Sequence, residues 1–383
     1  MKLKSLVALG AILSLSASAC GGNGGSADTV APSTDAVPVT DVVEVTGLGG
    51  VAADEELKIA IVLISPVAAG GWSLTHDLAR RDIEDRFPNV KATVVESVPF
   101  TVEATQTFER LVSEGNRMIF ATSEFGDLLF DVQKRYPEVA FIQIGGFTTD
   151  TNLADIMDKH WEPWYVIGVA AGHLAKNGRL GYVGAIQSPL VTGNINAFLL
   201  GAQSVNPAAT LNAIYINSFY DPQAATAAAG ALIDAGAEVL GGIMDENAFM
   251  TVAEERGVWV AQWSVDVRDA APKWYLNANV LNWSKAYIDE VQAFMDGTWT
   301  GGRTIFVGIN EGNDIGEWGP NVPADVIAAA EAVRQQMIDG TFQGYSGPIT
   351  DDTGSVHVAE GQTMTDDEIY RWDWFVAGVK TSG

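Results

Sequence analysis

From Leu57 onward, short apolar runs rich in β-branched residues alternate with segments whose apolar positions recur at helical spacing. Leu57-Lys58-Ile59-Ala60-Ile61-Val62-Leu63-Ile64 reads as a strand buried on both faces. A Gly/Pro-containing loop follows, and Leu78, Ile83 and Phe87 fit a helix over 74–87 that Pro88 closes. Further strands are expected at 90–97, 117–122 and 139–144, with helices at 102–114 and 127–136. The rhythm restarts after Gly178, with strands at 179–183, 210–216, 239–244 and 258–262 separated by helices at 194–205, 223–235 and 249–256. Strands alternating with helices at this spacing build βαβ units and mostly parallel sheets. Two such runs in succession predict two similar lobes across a cleft, with ligands bound beyond the carboxyl ends of the strands.

What precedes Leu57 has another character. Lys2 and Lys4 form a basic start, and the small, apolar run from Ser5 to Ala19 reads as a secretory signal peptide over 1–19. The run is too short for a membrane span. The small residues before Cys20 resemble the lipobox of bacterial lipoproteins, with Ala17 where a leucine-like residue is usual. That resemblance implies lipidation of Cys20 and an extracytoplasmic chain anchored to the membrane. Residues 20–55, rich in Gly, Ser, Thr, Asp, Val and Pro and without periodicity, are expected to form a flexible linker.

Cys20 is the only cysteine, so no intramolecular disulfide, cysteine nucleophile or cysteine-based metal site is available. With 48 acidic against 22 basic residues the net charge is −26. This balance argues against a nucleic-acid partner, whose affinity comes largely from Lys and Arg, and against a basic lipid-binding patch.

The loops after the strands carry the candidate chemistry. Trp72 follows Gly70-Gly71 behind the first strand, either as a lid over the core or as a flat platform for a ligand. Ser123, Glu124 and Phe125 follow the third strand, and Phe219, Tyr220 and Asp221 the strand ending near Ile216. Asp221, before Pro222, is expected to cap the following helix rather than bind. Asp245 and Glu246 follow Met244, and Trp263 and Asp266 follow Gln262. Aromatics with a few acceptors describe a site that stacks a flat ring and orients it by hydrogen bonds. The four histidines, His76, His160, His173 and His357, show no metal-binding spacing. No nucleophile elbow or Walker-type loop occurs, so no enzyme activity and no cofactor are expected.

Trp164-Tyr165-Val166-Ile167-Gly168-Val169-Ala170-Ala171-Gly172-His173-Leu174-Ala175-Lys176, followed by Gly178 to Gly184, resembles the signature of the basic membrane protein family. Residues 196–202, Ser218-Phe219-Tyr220-Asp221-Pro222 and 344–349 continue the match. These are substrate-binding lipoproteins of ABC transporters, related to the purine nucleoside receptor. The resemblance implies a type I periplasmic binding protein, α/β with two Rossmann-like lobes. Residues 56–177 and about 281–303 would form the first lobe, and 178–280 and about 304–379 the second.

It further implies a ring held between Trp72 and Phe219, an aspartate at Asp266, and Asn282 where nucleoside binders carry a lysine that holds the sugar. With Ser65 to Gly71 replacing an acidic segment, the pattern is similar to a subgroup associated with free purine bases such as adenine. The implied partners are the small-molecule ligand, ABC permease subunits and, through Cys20, the membrane. A sensor of the same fold, or a receptor for a purine nucleoside or other small aromatic solute, remains the alternative. A platform at Trp72 would leave the melting temperature of the ligand-free protein nearly unchanged by Trp72→Ala.

Overall fold

The computed structural model describes residues 47–382; Cys20, the signal sequence and the linker through Thr46 lie outside them. The first run of the chain lays down β1 (Leu57–Val62), α1 (Gly71–Arg86), β2 (Val90–Val95), α2 (Val102–Ser113), β3 (Met118–Ala121), α3 (Asp127–Gln133), β4 (Ala140–Ile144) and β5 (Leu153–Asp158). After α4 (Trp161–Leu174), the second run adds β6 (Arg179–Gly184), α5 (Pro189–Val205), β7 (Thr210–Tyr215), α6 (Pro222–Asp234), β8 (Val239–Gly242), α7 (Ala248–Arg256), β9 (Trp259–Ser264) and β10 (Tyr275–Leu281). The chain then returns through α8 (Ser284–Met295) and β11 (Thr304–Val307), crosses again with β12 (Asn313–Ile315) and α9 (Ala324–Ile338), and forms a hairpin of β13 (Ile349–Thr350) and β14 (Val356–Val358). It closes with α10 (Asp366–Tyr370) and β15 (Val379–Ser382).

The result is two sheets, ordered β11-β5-β4-β3-β1-β2 and β12-β10-β9-β8-β6-β7-β15. Every pairing in them is parallel except β12 against β10. Parallel sheets need cover on both faces, which explains why β1, β3, β4 and β8 read as apolar runs with almost no alternation. Asp221 caps α6 as expected, accepting a hydrogen bond from the Ala224 N–H at 2.9 Å, with Pro222 at the first helical position.

Four placements differ from the sequence reading. The strand β5 was not expected, because its sequence Leu-Ala-Asp-Ile-Met-Asp hides a buried strand behind two carboxylates. Helix α4, assigned to the first lobe, packs instead on α5 and α9 of the second. Strand β11 lies beyond the expected 303/304 boundary yet pairs with β5 in the first sheet. Residues 48–51, expected in the linker, bond to the end of α8 and beyond: the N–H groups of Leu48, Gly50 and Val51 donate to Trp299, Phe294 and Met295.

Helices α4 and α5 approach so closely that a Cβ on Gly201 would stand 2.1 Å from the Tyr165 carbonyl oxygen, and one on Gly168 2.2 Å from that of Phe198. The small-residue run of the family-like signature is thus a packing surface. Gly201→Val is expected to destabilise the protein by about 3 kcal/mol or more, since backbone must move to admit it. Urea unfolding of the two proteins measures the difference.

Candidate functional site

The ends of β1, β3, β4 and β5 face the loops after β6, β7, β8 and β9 across a cavity of about 400 Å³. Trp72 enters it from the first turn of α1. Gly70 and Gly71 have φ of +80° and +55°, which lets the helix start three residues before its expected beginning. The indole Nε1 donates to the Thr122 carbonyl oxygen at 2.7 Å, tying the ring to the end of β3. Trp283 and His76 meet the ring edge-on at 5.5 and 4.7 Å. His76 is itself stacked on Trp283 and bonded to the Tyr287 hydroxyl at 2.8 Å; burial holds its pKa well below the usual imidazole value. This neutral histidine is part of the support behind Trp72.

Opposite stands Trp263, at the end of β9. The two indoles lie 6.2 Å apart between centroids, with planes only 8° from parallel. Both line the cavity, and they come from different lobes. Phe219, expected to face Trp72, lines the cavity too, but the ring parallel to Trp72 is Trp263.

Asp245 reaches across the cleft from the loop after β8. Its own N–H donates to the Phe219 carbonyl at 2.8 Å. Burial pushes its pKa up to about 6, with the Trp72 N–H pulling the other way. The approach depends on Gly71, where a Cβ would lie 2.6 Å from Asp245 Oδ1.

Ser123 and Glu124 complete the expected residues in the wall, and burial raises the Glu124 pKa. Three carboxyl groups, Glu124, Asp158 and Asp245, therefore line the cavity, and among the described residues no lysine, arginine or histidine does. Asp158, at the end of β5, is fully buried, and burial pushes its pKa up to about 7. Its neighbour on the same strand, Asp155, is raised to about 7 by burial as well, although its Oδ1 accepts the Gly146 N–H at 2.8 Å.

Four expected residues lie outside the wall. Phe125 is buried in the first lobe's core, edge-on to Phe108 at 5.3 Å. Tyr220 is 63% exposed. Asp266 is held by Arg268, which also bonds Glu317 at 2.8 Å. Asn282 accepts the Ser284 N–H at 2.9 Å at the start of α8. In each, a core, solvent, ion-pair or capping role occupies the side chain. The sequence reading missed Asp158, Phe147 and Tyr370, the last two stacked at 4.6 Å on the cavity wall. Asp158 follows a strand and so satisfied the rule used for the others; only the strand itself was hidden.

The Bmp family model, described as ABC transporter substrate-binding protein PnrA-like, matches residues 56–337. The chain belongs to this family. A purine-binding protein of Brucella abortus is 35% identical over 338 residues, covering 87% of this chain and 95% of that protein. A protein of Haloferax volcanii named as an ABC transporter glucose-binding protein is 31% identical over 325 residues, covering 84% of this chain and 82% of its own. Among solved structures, a solute-binding protein of an ABC transporter system from Aeropyrum pernix has a TM-score of 0.65 at 16% identity, covering 79% of this chain and 94% of that one. The two-lobed α/β architecture is thus that of type I solute-binding proteins. The protein is a carrier of a small solute for an ABC transporter, not an enzyme, and it acts outside the cytoplasm with membrane permease subunits as partners.

Proposed function

We propose that this substrate-binding protein captures a purine base, adenine foremost, between its lobes and hands it to an ABC permease, tethered through lipid on Cys20. The near-parallel pair Trp72 and Trp263, one from each lobe, carries the reading. A flat ring stacked on both faces needs about 7 Å between the indoles, two van der Waals contacts of about 3.5 Å. The planes stand no farther apart than the 6.2 Å between their centroids, so the lobes open by at least about 1 Å to admit a base. A puckered hexose is thicker and requires a wider opening. The Brucella relative, a purine-binding protein by name, supports the same class.

The acidic wall sets a second limit. Hydrogen bonds from N–H groups of a base suit Glu124, Asp158 and Asp245, whereas a phosphate would face three carboxyl groups with no cation to offset them. Isothermal titration of ligand-free protein with adenine, adenosine, glucose and AMP tests this. Adenine is expected to bind most tightly, and AMP at least about a thousandfold more weakly, some 4 kcal/mol. Tight binding of glucose with none of adenine would replace the purine reading by that of the Haloferax relative.

A further inference from the structure

Among the described residues no other residue gives either carboxylate oxygen of Asp158 a hydrogen bond, and only its own backbone N–H pulls its pKa down against burial. The residue ends a strand whose six positions are all buried, between β4 and β11, and it lines the cavity beside Met157 and Tyr370. Asp155, buried on the same strand, holds the Gly146 N–H through Oδ1. A buried carboxyl left without partners destabilises the fold, and a group kept under that condition points to a ligand that supplies the missing bonds.

We propose that Asp158 selects the solute by pairing with a ring edge on which an N–H donor stands beside an acceptor, the edge presented by 6-amino and 6-oxo purines. This rests on the purine reading above. A carboxyl group that keeps its proton offers one O–H donor and one carbonyl acceptor in a single plane, and such an edge matches it with two parallel hydrogen bonds. Burial, which raises the pKa of Asp158 to about 7, favours that form. A ring held only by Trp72 and Trp263 would be taken for its flatness alone, because stacking tolerates any π-face. Asp158 supplies what stacking lacks, a reading of one particular edge.

Calorimetry of wild type, Asp158→Asn and Asp158→Leu with adenine and with unsubstituted purine, which lacks the amino group, tests the assignment. Wild type is expected to prefer adenine by at least about tenfold. Asp158→Asn, whose amide also sets a donor beside an acceptor, retains that preference and binds adenine within about tenfold of wild type. Asp158→Leu binds adenine about a hundredfold more weakly and loses the preference, while its ligand-free melting temperature stays the same or rises because an unpartnered polar group is gone. If wild type binds adenine and Asp158→Leu keeps the full preference, the role of Asp158 is overturned and the purine reading stands. Equal losses in the Asn and Leu variants overturn it too, since the pairing would then need a carboxylate. A lowered melting temperature in Asp158→Leu overturns the premise that the fold leaves the group unpartnered. If wild type binds neither purine, the purine reading itself fails, and the role of Asp158 with it.

Discussion

Trp72→Ala is expected to weaken adenine binding by about a hundredfold, as the loss of one stacking face costs about 1–3 kcal/mol and the cavity it leaves loosens the other. Trp72→Phe, which keeps a face of similar orientation, should stay within about tenfold. The substitution also lowers the melting temperature of the ligand-free protein, contrary to what the sequence alone implied for a platform residue. The ring is half-buried, bonded through Nε1 to Thr122, and packed edge-on against His76 and Trp283. Platform and core are therefore one structure: α8 supplies Tyr287 and its N-cap is Trp283, these hold His76, and the group holds the indole at the angle Trp263 faces. Calorimetry and a thermal melt on the same preparations separate the two effects, because Phe restores packing and stacking to different degrees. Unchanged affinity in Trp72→Ala would remove the ring sandwich from the account.

The second large effect is on stability as a function of pH. The folded-state pKa values of Asp155 and Asp158 are raised to about 7 and that of Asp245 to about 6, all first by burial. A carboxyl raised in the folded state binds its proton more tightly there than when unfolded. Its contribution is therefore complete below the unfolded value near 4 and is lost as pH rises through about 6 to 7. These three groups favour pH 5 over pH 8, by about 2–3 kcal/mol for Asp155 and for Asp158 each and about 1 kcal/mol for Asp245, while His76 and His160, lowered by burial, favour pH 8. Urea unfolding of wild type and Asp158→Asn at the two pH values isolates the share of Asp158, which the substitution should remove. A pH dependence untouched by Asp158→Asn would contradict the burial of an unpartnered carboxyl.

Most of the architecture was legible because parallel strands buried on both faces write themselves as continuous apolar runs, as β1, β4 and β8 do. Strand β5 was not, since Asp155 and Asp158 break the run, and Asp158 lines the cavity. Stability and function conflict there, and the pattern that reveals a core conceals a site. Among the candidates, Trp72, Phe219, Asp245 and Trp263 were found from their position after strands. Asp266 was drawn from its position after a strand as well as from the family resemblance, and Asn282 from the resemblance alone; in this chain Arg268 and the start of α8 engage them. The pairing of Trp72 with Trp263 rather than Phe219 was beyond the sequence, because it depends on how the second sheet faces the first.

The most direct test is the mass of the small molecule released when the purified, undialysed protein is denatured. A purine base, recovered in stoichiometric amount and absent from a Trp72→Ala preparation, is the expected result. A hexose or a nucleotide released in its place would contradict the account.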